Sequence, residues 1–121
     1  MNEHSYIDSV NRHVIASHQW KINDMYAAGV PDSFYEGTDK DLWIEFKNIK
    51  PFPKKKHTVI DLTNPKYYLS KQQQLWLIRR HALRQDAWVI AGSEHGGVIF
   101  RGLGWQKPVT SEEFLHRALP P

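Results

Sequence analysis

Cysteine is absent from all 121 residues, which excludes disulfides and any thiolate-bound metal and fits a reducing compartment. Long apolar runs are lacking too. The longest, around residues 87–92, falls far short of the ~20 residues that cross a bilayer. The opening MNEHSYIDSV lacks the basic-then-apolar order of a secretion signal, so the expectation is a soluble cytoplasmic chain. Zinc spacings are missing as well. The seven histidines form no His-Glu-x-x-His and no His-x-Glu with paired cysteines, so His13, His57, His81 and His95 read as ordinary. Glu94-His95-Gly96-Gly97 lacks the helix and lysine that follow a phosphate loop and reads as a hairpin turn. No internal repeat or low-complexity tract is present.

What remains is a chain of ordinary apolar content, 40% hydrophobic, sized for one domain built on a single sheet packed by two or three helices. Sixteen Lys and Arg against thirteen Asp and Glu give +3 and a pI near 9.2, which suits a polyanionic partner without requiring one. The excess is localised: Lys54, Lys55 and Lys56 run together beside His57, and Arg79, Arg80 and Arg84 cluster on a later segment.

Tyr6, Ile7, Val10, Val14 and Ile15 recur three and four apart and predict an amphipathic helix over residues 3–18. A short strand is expected at 20–23, followed by punctuation at Gly29 and Pro31 with Asp32 immediately after. Aromatic and β-branched composition at 33–35 and 41–48, joined by Glu36-Gly37-Thr38-Asp39-Lys40, predicts an antiparallel pair. Residues 49–68 hold three prolines and the lysine run around one apolar patch at 58–62, an excursion with room for a small strand. Ser70 followed by Gln73 is a capping box that opens a helix to about residue 84. Strands at 87–91 and 97–100 meet through residues 93–96, and Thr110 or Ser111 caps a last short helix through residue 116.

Residues two apart on a strand share a face, so Leu42, Ile44 and Phe46 point to a core while Trp43, Glu45 and Lys47 point the other way. A hairpin brings Asp32 near Glu45. Two facing carboxylates resist joint ionisation unless a divalent cation sits between them, and hard oxygen donors suit magnesium. Lys47 is then placed to orient or deprotonate an attacking water, or to neutralise phosphate charge. The plainer reading is that Glu-x-Lys is common on solvated strand faces and Asp after Pro is common in turns.

Gly29-Val30-Pro31-Asp32, eleven intervening residues, then Ile44-Glu45-Phe46-Lys47 resembles the PD-(D/E)XK nuclease signature. Leu69-Ser70 with Gln73, Trp76 and Leu77 resembles the S-x-x-Q-x-x-W helix that follows the catalytic strand in the VRR-NUC branch and its phage relatives. The resemblance covers roughly residues 3–101 and implies an α/β, restriction-endonuclease-like core with a mixed sheet flanked by helices, in the order αβββαββ plus a short C-terminal helix. It implies that Asp32 and Glu45 bind magnesium, or manganese in its place, with the Phe46 carbonyl completing the coordination and Lys47 serving the water. Relatives often add an acid from the first helix. Glu3 is the candidate here and Asp8 its rival, although Glu3 equally suits the positive end of a helix. The connection from Lys47 to Ser70 is longer than is usual in the branch, and its lysines form a basic loop insertion at about residues 49–68.

The activity so implied is a DNA endonuclease selective for branched DNA, like the small Holliday-junction resolvases of phage recombination, in which case the host cytoplasm is its compartment. A homodimer follows by analogy, because a four-way junction offers two symmetric strands. Lys54, Lys55, Lys56, Arg79, Arg80 and Trp43 are the nucleic-acid-binding candidates, although a lysine run is also what a solvated surface shows and Trp43 also suits packing. Gln73, Trp76 and Arg80 share one helical stripe, expected to overlook the site. Leu75, Ile78 and Ala82 share another, expected to meet the core. Gln73 is either a site residue or fully occupied by its capping box. The alternatives in function are a nicking or restriction-like enzyme on duplex DNA, and a silent nucleic-acid-binding module of nuclease fold.

Overall fold

The computed structural model describes residues 18–21, 33–36 and 41–120. Their elements run β1 (His18–Lys21), β2 (Ser33–Glu36), β3 (Leu42–Asn48), β4 (Val59–Ile60), α1 (Lys71–Ala82), β5 (Asp86–Ser93), β6 (Gly96–Arg101), a 3-10 turn (Gly104–Gln106), β7 (Val109–Thr110) and α2 (Ser111–Arg117). The expected helix over 3–18, with Glu3 and Asp8, lies outside the described residues, apart from His18, which opens β1. Asp32 and most of the residues joining β2 to β3 lie outside them as well.

The described residues form a mixed α/β fold whose central sheet has the order β1-β2-β3-β5-β6. β1, β2 and β3 are antiparallel neighbours, β3 and β5 are parallel, and β5 and β6 close as a hairpin. Parallel neighbours need a long crossover, and here it carries the proline-rich segment and α1. That crossover places α1 against one face of the sheet, over β3 and β5.

Among the described residues each face of the sheet carries a buried cluster. Tyr35, Ile44, Phe46 and Ile90 form one core cluster, which accounts for the predicted apolar side of β3. The larger cluster lies on the opposite face, where Val89 and Ala91 of β5 and Val98 and Phe100 of β6 meet Leu77, Trp105 and Phe114. Glu45 therefore sits on the side of the main core, not on a solvated face.

Residues 49–68 are built into this core. Phe52, Ile60 and Leu62 are buried in the main cluster, and β4 pairs with β7 through Val59 with Thr110 and Ile60 with Val109. The Lys55 carbonyl accepts from the Ser111 hydroxyl, and the Lys56 carbonyl accepts from the Glu112 amide at 3.1 Å. The small strand for which this segment has room is β4, and these bonds tie the basic loop to β7 and α2. The lysine side chains are exposed, but their backbone is fastened to the N-terminus of α2.

Both predicted caps form. Ser70 and Gln73 make the reciprocal capping box of α1, and Thr110 and Glu113 make that of α2. The expected stripe of Leu75, Ile78 and Ala82 does not meet the core, since Leu75 is 62% and Ile78 38% exposed. Gln74 and Leu77 are buried instead. A glutamine can occupy that position because its Nε2 donates to the carbonyls of Thr63, 2.8 Å, and Leu69, 2.9 Å, so burial leaves no donor unsatisfied.

Candidate functional site

Glu45 stands at the middle of β3, between the antiparallel half of the sheet and its parallel neighbour β5. Its register partner on β5 is Val89, and that of Lys47 is Ala91. The neighbouring residues are small or apolar, and Glu45 is 2% exposed. A solvated strand face does not explain such a residue, because a carboxylate taken out of water needs hydrogen bonds or a cation in exchange.

One such donor comes from α1. Gln73 Nε2 donates to Glu45 Oε1 at 3.2 Å. The other end of the same amide belongs to the cap, where Gln73 Oε1 accepts from the Ser70 amide at 2.9 Å and the Gln73 amide donates to Ser70 Oγ at 3.1 Å. The two readings of Gln73 are thus both realised in one side chain. Its carbonyl end fixes the start of the helix, and its NH2 end reaches the strand.

The rest of that stripe follows β3 toward the start of the strand. The Trp43 and Trp76 rings meet edge to face with centroids 5.3 Å apart, and Phe34 of β2 lies 4.6 Å from Trp43. The Arg80 guanidinium stands 5.6 Å from the centroids of both indoles. Burial holds the Arg80 pKa below its ordinary value, against the pull of Asp41 and Asp86. Trp43 and Arg80, both nucleic-acid-binding candidates by sequence, therefore pack against other side chains. Arg79 is exposed, as are Lys54, Lys55 and Lys56.

Lys47 is partly exposed on the same strand, two residues beyond Glu45. Phe46, between them, sends its ring into the opposite core. Among the described residues no three His, Asp or Glu side chains gather as a metal-binding group. The second carboxylate expected by sequence, Asp32, lies outside them. The described β2–β3 ladder ends with Ser33 opposite Ile44, each the immediate chain neighbour of Asp32 and Glu45 respectively. In its chemistry, a buried carboxylate oriented by an amide donor is a hard oxygen ligand suited to magnesium.

Sequence reasoning missed a second group of polar residues. A cleft of about 240 Å³ opens past the end of β3, lined by Asn48, Ile49, Lys50, Pro51, Phe52 and Glu94. The available signal was topological, since ligands gather outside the carboxyl ends of parallel strands; the parallel pairing of β3 with β5 was not legible in any short motif.

Comparison with protein-family models, curated proteins and solved structures found no match to this chain.

Proposed function

We propose that the chain is a magnesium-dependent DNA endonuclease of the PD-(D/E)XK kind, with a restriction-endonuclease-like core and a preference for branched DNA. The observation that carries the reading is the pairing of the buried Glu45 carboxylate with Gln73 across the strand–helix boundary, with Lys47 on the same strand face. A mixed sheet whose central strand bears Glu-x-Lys, followed by a crossover helix that returns a glutamine to the glutamate, accounts for every residue type in that group.

In this reading Glu45 and Asp32 hold the ion, with the Phe46 carbonyl and an acid from the first helix, Glu3 or Asp8, as further donors. A bound magnesium or manganese ion supplies positive charge against the phosphate oxygens. Gln73 fixes the rotation of the Glu45 carboxylate, so that one oxygen accepts from the amide and the group is preorganised before substrate arrives. Lys47 takes or orients the proton of the attacking water, or offsets charge on the phosphate. The exposed lysines of residues 54–56 contact backbone phosphates and give affinity without sequence preference. A homodimer would present two such sites to the two symmetric strands of a junction.

The test is cleavage of a four-way junction and of a linear duplex of the same sequence, with magnesium and with manganese. Cleavage of the junction is expected, and Lys47→Ala is expected to lower its rate by about 10²–10⁴-fold while leaving junction binding nearly intact. Preferential cutting of the linear duplex would favour a nicking or restriction-like enzyme. No cleavage with either metal, together with retained binding, would leave a silent binding module.

A further inference from the structure

We infer that the cleft at the carboxyl ends of β3 and β5 receives one unstacked nucleotide of the substrate, next to the phosphate at which Lys47 acts. This rests on the nuclease reading for its substrate and deepens it by giving the enzyme a means of choosing distorted DNA.

Position comes first. Asn48 follows Lys47 directly on β3 and pairs with Gly92 of β5. The Ile49 amide then donates to the Gly92 carbonyl at 2.7 Å, which carries the parallel ladder one residue past the strand and fixes the cleft's floor. The cavity therefore begins one residue from the proposed catalytic lysine, on the same rigid element. Its volume of about 240 Å³ falls just short of sites for drug-sized ligands, which start at roughly 300 Å³, and suits one base with its sugar.

Its lining has the composition of a base site. Lys50 supplies a cation for a phosphate, and Asn48 offers both a donor and an acceptor. Glu94 supplies an acceptor for the N–H groups of a base edge. Beside this lining, in contact with two of its residues, stands His95. The Phe52 ring, almost fully buried, meets the His95 imidazole edge to face at 5.3 Å, and His95 Nε2 lies 3.5 Å from Glu94 Oε1. Phe52 and Glu94 thus hold His95 from two sides, yet its side chain is 51% exposed, leaving ring surface for stacking. Aromatic stacking accepts every base.

Such a cleft cannot be reached by a base within an intact helix. Extruding a paired base costs stacking and pairing energy, whereas a bulged or junction nucleotide has already given them up. The enzyme would therefore select substrates in which a nucleotide next to the cut is free to leave the stack.

The experiment compares two duplexes that differ in one atom group. One carries a single unpaired nucleotide, and the other carries an abasic residue at the same place, so backbone charge is matched. Binding is followed by fluorescence anisotropy in EDTA, with the unmodified protein, His95→Ala and Lys50→Ala. The base-bearing bulge is expected to bind the unmodified protein at least about fivefold more tightly than the abasic one. Fivefold corresponds to about 1 kcal/mol, the lower end for one base–aromatic stack. His95→Ala should remove that difference, and Lys50→Ala should weaken both duplexes alike. Equal affinities for the two bulges, or an unchanged ratio in His95→Ala, would overturn the inference. Because no cleavage is involved, a base-dependent ratio in a protein that never cuts would sink the nuclease reading and leave the cleft standing. Cutting without such a ratio would do the reverse.

Discussion

Glu45 gives up its hydration in a sheet that could have been filled with a valine or leucine, and in exchange Oε1 accepts a hydrogen bond from Gln73. Gln73 is the residue that couples this group to the fold, because one amide caps α1 and touches Glu45. The two duties can be separated. Ser70→Ala removes the cap alone and should lower stability by about 1 kcal/mol in urea unfolding, with cleavage at saturating magnesium unchanged. Gln73→Ala removes its side-chain half of the capping box and the bond to Glu45, and should add to a similar stability loss a drop of roughly 10–100-fold in cleavage, the usual effect of deleting a group that supports a metal ligand. Equal activity in the two variants would assign Gln73 to the cap only.

Among the elements, α1 fixes the site through its phase on the sheet, and its C-terminal end shows a cost of that placement. Arg84 follows the helix with φ of 57°, while the Gln85 amide donates to the Arg80 carbonyl at 3.1 Å. This left-handed turn lets the chain enter β5 beneath the helix, and it is the conformation that glycine adopts without a Cβ penalty. Arg84→Gly is therefore expected to raise stability by roughly 1 kcal/mol, seen as a higher urea midpoint with an unchanged slope. A lower midpoint would mean that the Arg84 side chain contributes more than its backbone costs. The capping box at Ser70, a cap at Thr110 or Ser111, the strands of the central sheet and the two faces of β3 were legible because each depends on a local pattern of residue type and spacing. The phase of α1 was not, since apolar residues lie on several of its sides and the buried Gln74 looks polar until its two carbonyl acceptors are in place. For the same reason residues 49–68 read as a loop: their order comes from β7 and α2, some fifty residues further along, and pairing over that range leaves no mark on short windows.

Across the whole molecule, the sequence carries a small positive excess, and the lysine run presents part of it on a backbone anchored to the core. Anchoring matters for binding, because a fixed basic segment gives up less freedom on meeting a phosphate backbone than a mobile one. Replacing Lys54, Lys55 and Lys56 together by alanine should weaken DNA binding and reduce the slope of log affinity against log salt by about 2–3, near 0.9 for each phosphate no longer neutralised. An unchanged slope would place these lysines away from DNA. The nuclease account as a whole depends on Glu45 being a metal ligand, and titration of manganese followed by the EPR signal of the free ion tests this most directly. Glu45→Gln keeps the shape of the side chain and an oxygen for Gln73 to bond. The unmodified protein should take up manganese, and Glu45→Gln should bind it at least about tenfold more weakly, since even supporting residues cost 10–100-fold. Identical uptake by the two proteins, or none by either, would contradict it.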